Sequence, residues 1–417
     1  MELGVGSGLA ACAVTAKARP TRSANARVVV GVMGVHGRGM ALAQGFASRP
    51  NVEVAYLCDV DTRAVEAALA ALKTVQQTPA QGIDDFRRIL EDPHVDALVI
   101  ATPNHWHAPA TILACAARKH VYVEKPCSYS AQEGEWAVAA ARKHNRVVTM
   151  GTQRRSWPGI VQAIDRLRHG DIGTVRYART WYNNRRPAIG RGRQVDPPAW
   201  LNYELWQGPA ARRPFKDNLV HYNWHWHWHW GNGELGNNGV HAVDLARWGM
   251  QVDFPTRVSS SGGRYRFDDD QETPDTQLVA FEFDKRVILW EAVSWSPMGP
   301  GGSSFGVTFH GDEGTLTIKD GGYEIHDSHL KQVASFSGTA GDAEHLDDFL
   351  ACVRDGKHPS ADIEEAHKST LMCHLGNISQ QVGRALRINP QDGHIIDDAD
   401  AASRWGREYA PGWEPKV

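Results

Sequence analysis

The chain has 417 residues, with 45 Lys plus Arg against 48 Asp plus Glu and a formal charge of −3. At about 150 residues per domain that is room for two or three domains with sizeable cores, and no basic excess exists to neutralise a nucleic-acid backbone. Apolar residues at 42% and charged residues at 22% are ordinary globular usage, which excludes wholesale disorder, collagen and coiled coil and leaves an enzyme or a small-molecule binding protein.

The amino terminus differs in composition from the rest. Residues 3–14 are small, apolar and uncharged, and Ala16-Lys17-Ala18 has the small-x-small form after which a signal peptidase cuts, although no basic segment precedes it. Leu9-Ala10-Ala11-Cys12 also fits a bacterial lipobox. Residues 1–25 are therefore expected to be a signal or a disordered leader. A signal would send the protein to the periplasm or beyond; without one it stays in the cytoplasm. Six cysteines, Cys12, Cys58, Cys115, Cys127, Cys352 and Cys373, form no C-x-x-C pair and read as buried thiols.

From residue 28 to 150, strand-like runs (28–32, 52–58, 97–100, 121–123 and 147–150) alternate with helical patterns (64–72, 108–118 and 131–144). That rhythm predicts a Rossmann-like, doubly wound parallel sheet over residues 26–150. A helix at 160–168 and a strand at 175–181 lead into a long loop rich in Pro, Arg and Trp. Strand candidates at 276–283, 287–294, 305–309 and 315–319 are separated by Gly-rich turns. They predict an α+β domain with an open, mainly antiparallel sheet over 151–395. Helices are expected at 344–353 and 364–386, and residues 396–417 read as a wrap over the surface.

Chemistry enters right after the first strand, where Gly34-Val35-His36-Gly37-Arg38-Gly39 opens a helix. Glycines there let backbone N–H groups approach a pyrophosphate at the positive helix end. His36 stands where a dinucleotide fingerprint has its second glycine; histidine tolerates the left-handed conformation better than most residues, and Gly37 is expected to restore the close approach. Asp59, ending the second strand, is placed to bond the adenosine ribose and to repel a 2′-phosphate, which favours NAD over NADP. Thr102, Asn104, His107, Glu124 and Lys125 follow later strands, where ligands of open α/β sheets lie. Asn or Thr there can bond ribose and carboxamide, and Lys125 can hold charge beside a substrate hydroxyl.

These residues, with Thr102-Pro103-Asn104, Glu124-Lys125-Pro126 and Gly239-Val240-His241-Ala242-Val243-Asp244, give the chain a resemblance to the Gfo/Idh/MocA family of glucose-fructose oxidoreductases and inositol dehydrogenases. The resemblance runs from about Val28 to Asn389. It implies a Rossmann domain holding a nicotinamide cofactor, a second domain whose open sheet supports substrate and often an oligomer interface, hence a homo-oligomer, and sugar or polyol substrates. It also implies that His241 is the acid/base, with Asn237 standing where family members carry an assisting Asp. Asp244, three residues on, is expected to face the same way and supply the carboxylate. Gln153, Arg154 and Arg155 are expected to edge the cleft, and Trp206 lies in a W-x-G-P segment similar to one that closes near the cofactor.

Residues 224–230 read W-H-W-H-W-H-W. If extended, the run puts His225, His227 and His229 on one face and the indoles on the other. Three uses compete: an imidazole metal set, an apolar wall against which a sugar stacks, with Trp226 and His227 as substrate contacts, and a purely structural clamp. No metal is assigned. Taken together, the residues point to an NAD-dependent oxidoreductase acting on a sugar, polyol or glycoside hydroxyl. The alternatives are a redox-neutral, NAD-dependent glycosidase that oxidises C3, eliminates, adds water and re-reduces, and a non-catalytic sugar-binding relative.

Overall fold

The computed structural model describes residues 26–417, so the signal and lipobox features, Cys12 included, lie outside the described residues. The first sheet is built from β1 (Val28–Met33), β2 (Val52–Cys58), β3 (Gln81–Ile83), β4 (Ala97–Ile100), β5 (His120–Val123) and β6 (Val148–Met150). Its order is β3-β2-β1-β4-β5-β6 and every pairing is parallel. Helices α1 (Arg38–Ala47), α2 (Thr62–Leu72), α3 (Arg87–Glu91), α4 (Asn104–Ala116) and α5 (Ala131–His144) connect the strands. With both faces covered, β4 is buried at every position, as parallel strands require. Strand order reverses between β1 and β4, and such a switch point opens a crevice at the carboxyl ends.

Helix α4 starts at Asn104, four positions before the stretch expected from the sequence, so Asn104 and His107 occupy its first turn. Pro109 inside it cannot donate to the His105 carbonyl. Arg407 Nη2 fills that vacancy at 2.7 Å.

The chain then forms α6 (Pro158–Arg168), β7 (Val175–Asn183), α7 (Tyr203–Gln207), α8 (Val240–Met250), β8 (Arg257–Gly263), β9 (Thr276–Phe283), β10 (Arg286–Val293), β11 (Phe305–Gly311), β12 (Gly314–Lys319), β13 (Gly322–Asp327) and β14 (Gln332–Phe336). Helices α9 (Ala343–Asp355) and α10 (Ile363–Val382), strands β15 (Leu386–Ile388) and β16 (Ile395–Ile396) and helix α11 (Ala399–Ala402) complete it. The second sheet runs β14-β13-β12-β11-β7-β10-β9-β8-β15-β16, antiparallel except that β7 and β10 pair in parallel. Strand β12 alternates buried and half-buried residues, so one face carries the core and the other is open.

Two expectations about α9 and α10 change. Leu346, Phe349 and Leu350 of α9 join the core cluster of Val30 on β1 and Leu42 and Phe46 on α1, so the chain returns to the Rossmann core after building the second domain. Helix α10 stops at Val382 rather than Leu386, because Gly383 at φ 67° provides a left-handed cap and Leu386 enters β15. The carboxy-terminal segment lies on the Rossmann helices: Arg407 pairs with Glu133, Tyr409 Oη donates to Glu133, and the Trp413 and Trp106 rings meet at 5.2 Å.

Candidate functional site

A cleft of about 640 Å³ runs between the carboxyl ends of β1, β2, β4 and β5 on one side and β7, the 200–225 loop and α8 on the other. The glycine turn forms its floor. Gly34 has φ 82°, and a Cβ there would stand 2.7 Å from the Ala101 carbonyl oxygen; a Cβ on Gly39 would meet the Gly34 oxygen at 1.6 Å. Only glycine lets α1 sit this close to the strand. Gly37, at φ 56°, has nothing within 4 Å of an added Cβ and so faces open space. His36 is not left-handed, contrary to the sequence expectation: Gly37 takes the positive φ, which frees the His36 ring to stack on His221 at 4.5 Å.

Asp59 lines the cleft with its carboxylate fixed by two amides, Val35 N at 2.7 Å and Asp61 N at 3.0 Å. Burial nonetheless raises its pKa. Arg38 lines the cleft too but is already engaged, by Glu124 at 2.7 Å and bidentately by Asp342. The His107 ring nitrogens lie 2.6 and 2.8 Å from the Pro126 and Thr102 carbonyl oxygens, which braces the turns after β4 and β5 against each other. Thr102, Asn104, Gln153 and Trp206 line the same cleft.

At the domain junction, Lys125 Nζ crosses the cleft and donates to the Asn237 carbonyl at 2.8 Å and to its side-chain oxygen at 2.7 Å. Asn237 lies in a π turn (Leu235–Gly239) that feeds α8, and such widened turns present backbone groups an α-helix would bury. Asn237 therefore holds Lys125 rather than the histidine ring. His241, one turn further, lines the cleft and is 8% exposed; its Nδ1 is buried with no partner, which leaves Nε2 as the nitrogen open to a ligand. Burial first, then the Lys125 charge, hold its pKa well below the ordinary imidazole value. Burial also lowers Lys125, against the opposing pull of Glu124.

Several expected site residues lie elsewhere. Asp244 does not serve His241: its carboxylate is buried in a bidentate pair with Arg155 at 2.8 Å and accepts from Ser369 Oγ at 2.7 Å. Facing inward from α8, it neutralises a buried guanidinium. Arg154 packs over Phe305 at 3.7 Å and Trp157 at 4.6 Å instead of lining the cleft. The Trp/His run is not extended, since residues Asn223–Trp226 form a 3-10 turn that breaks the two-residue period. Trp224 and His225, not Trp226 and His227, line the cleft. The three histidines diverge: His225 Nδ1 lies 2.6 Å from Tyr222 O, His227 Nδ1 lies 3.6 Å from Glu272 and His229 Nε2 lies 2.7 Å from Ala211 O.

Tyr182, Asn184, Arg186, His221 and Tyr222 also line the cleft and were not singled out from the sequence. The one signal was the Arg- and Trp-rich composition of the loop that carries most of them. Arg186 is held by Glu234, donates to Tyr222 Oη at 2.8 Å and lies 4.6 Å from the centre of the Trp226 ring.

The residues fit a dinucleotide. Thr102 Oγ1 and Gln153 Oε1 are buried without a protein partner, and Gly37 leaves open space at the positive end of α1. Fold and cleft thus define an NAD-binding oxidoreductase: residues 27–152 match the oxidoreductase family's NAD-binding Rossmann fold, and residues 201–388 match its C-terminal alpha/beta domain. The chain belongs to the Gfo/Idh/MocA family.

Among its relatives, it is 28% identical to levoglucosan dehydrogenase of Pseudarthrobacter phenanthrenivorans over 39% of this chain and 35% of that protein. It is 37% identical to a glycosyl hydrolase family 109 protein of Saccharopolyspora erythraea over 26% of this chain and 25% of that protein. Both matches thus span well under half of the relative's length. The structure of a levoglucosan dehydrogenase in complex with NADH and levoglucosan matches with a TM-score of 0.67 at 17% identity, covering 87% of this chain and 99% of that chain, a likeness of fold.

Proposed function

We propose that the protein is an NAD-dependent oxidoreductase acting on a secondary hydroxyl of a neutral sugar, polyol or glycoside, with His241 as acid/base and Lys125 as electrostatic partner. One observation carries this reading: Lys125 of the Rossmann domain is tied to Asn237 one turn before His241, inside the cleft that begins at the glycine turn. When bound, NAD supplies the hydride acceptor for the carbinol carbon.

Gly34, Gly37 and the amino end of α1 would hold the pyrophosphate, Asp59 the adenosine ribose, and Thr102, Asn104 and Gln153 the nicotinamide half. The Asp59 carboxylate disfavours a 2′-phosphate, so NAD is preferred to NADP. His241, kept neutral at ordinary pH, takes the hydroxyl proton at Nε2. The Lys125 ammonium, aimed by both Asn237 oxygens, stabilises the developing alkoxide. Glu234 cancels the Arg186 charge while leaving N–H groups free for hydroxyls, which suits an uncharged polyol. Trp224 and Tyr222 offer faces for a sugar ring.

The glycosyl hydrolase family 109 relative favours a second reading of the same site. There, oxidation at C3 acidifies the C2 proton, a base removes it, the aglycone leaves, and water addition and re-reduction follow.

His241→Ala is expected to lose about 10²- to 10⁴-fold in turnover while NAD binding stays nearly unchanged. The assays are NADH formation on adding sugars and aglycone release from glycosides. NADH formation supports the dehydrogenase; aglycone release without net NADH supports the second reading. Near-normal activity of the variant in whichever assay the wild type passes would place the base elsewhere.

A further inference from the structure

Helix α4 carries a gap in the hydrogen bonding of its first turn. The His105 carbonyl would accept from the amide four residues on, but that residue is Pro109, which has no N–H. Arg407 Nη2 donates there instead, at 2.7 Å. The same guanidinium pairs with Glu133 of α5, a fully buried carboxylate that also accepts from Tyr409 Oη at 2.9 Å and from Tyr129 N at 3.1 Å. The Tyr129 and Tyr409 rings flank the guanidinium, each 4.8 Å from its carbon. Backbone bonds hold the segment on both sides of Arg407: Gln132 N donates to Trp405 O and Ala410 N to Pro209 O, each at 3.0 Å. Beyond them the Trp413 ring meets Trp106 edge-on at 5.2 Å. Residues 405–413 thus join α5, the first turn of α4 and the turn after α7.

Two of these elements present residues to the cleft, Asn104, Trp106 and His107 from α4 and Trp206 from α7. They are tied to each other, since Trp106 Nε1 donates to the Trp206 carbonyl at 3.0 Å and His105 Nε2 lies 2.9 Å from the same oxygen. Arg407 and Trp413 stand behind them, outside the cleft lining. We propose that Arg407 is a positioning residue of the NAD site: it supplies the donor that Pro109 removes and, with Trp413, sets the pose of Asn104, Trp106 and Trp206 that receives the dinucleotide. The segment 405–413 is then a working part of the cofactor site rather than a wrap. Without Arg407 the turn keeps a buried carbonyl that has no donor, and it relaxes to find one, which moves Asn104. The inference rests on NAD binding by the Rossmann domain and is independent of which residue is the base.

The test measures NAD affinity of the full-length protein by isothermal titration calorimetry, which needs no turnover and so stands whether or not the proposed reaction does. Arg407→Met is made together with Glu133→Gln, so that no carboxylate is left buried alone. This double variant is expected to bind NAD about tenfold more weakly, the scale of one lost charge-assisted hydrogen bond. Adding Pro109→Ala to it returns an amide donor to the His105 carbonyl and is expected to recover most of the affinity, which a general loss of packing would not allow. Pro109→Ala by itself is expected to bind NAD as the wild type does. If the double variant does not fold, Trp413→Ala carries the test through the Trp106 contact, with a severalfold loss of affinity expected. Unchanged affinity in the folded double variant, or no recovery on adding Pro109→Ala, overturns the proposal; where only Trp413→Ala folds, unchanged affinity in it does the same.

Discussion

Two effects act on His241 with the same sign, since burial and the Lys125 ammonium both penalise the imidazolium. The acid limb of kcat/KM therefore belongs below the ordinary histidine value of about 6.5. Removing a neighbouring cation makes protonation easier, so Lys125→Met is expected to shift that limb upward by about one pH unit while lowering the rate. A pH profile of residual activity checks this, and a limb that stays put would mean the two groups are not coupled. The same pair shows what motif reading misses at this scale. Asn237 reads as a weakened helper of His241, yet its oxygens bind Lys125. Asp244 reads as a spare carboxylate three residues along a helix, yet it points into the core. Helical spacing tells which residues share a face but not which face meets the cleft.

Among elements, the Arg155 to Asp244 pair fastens the turn after β6 to α8, and Ser369 adds α10 to the joint. Both partners are nearly sealed, with side-chain exposures of 4% and 2%. Arg155→Met would strand a buried carboxylate, at a cost of about 3–5 kcal/mol in folding free energy. Denaturant unfolding of the variant measures it; a loss well under 1 kcal/mol would show that water or another cation compensates. Elements with local signals were legible in the sequence. The helical pattern at 131–144 coincides with α5, whose start Ser130 caps and whose end Asn145 closes in the left-handed region. Strand β9 was likewise read at its bounds. The short β3 and the edge strand β14, with mostly exposed residues, carry no apolar run and went unread. The 3-10 turn of the Trp/His run carries no local signal; in the fold Trp224, Trp226 and Trp230 are all buried, Trp224 and Trp230 in one cluster with Trp206 and Phe215.

For the whole molecule, the buried histidines set an acid limit. Desolvation holds His105 and His374 to about 3 and His367 to about 4. In the unfolded chain they titrate near 6.5, so below that pH the unfolded state binds more protons and stability falls with pH. Each contributes up to about 1.4 kcal/mol per pH unit between the two values. The urea midpoint is expected to drop steeply from pH 7 to pH 5, and a flat midpoint over that range would refute the assignment.

What the sequence determined by itself was the alternation of short apolar runs with amphipathic helices, the glycine turn, and the polar residues that follow strand ends. Those patterns are local, set by side-chain period and backbone freedom, and they suffice to place Gly34, Asp59, Thr102 and Lys125 around one crevice. Tertiary structure alone decided the rest. It brought Asn237 and His241 across to Lys125, returned α9 to the first sheet, and laid the 200–225 loop beside Asp61 and His36. Contacts between segments more than a hundred residues apart depend on how two domains bury their faces against each other, and no local period encodes that.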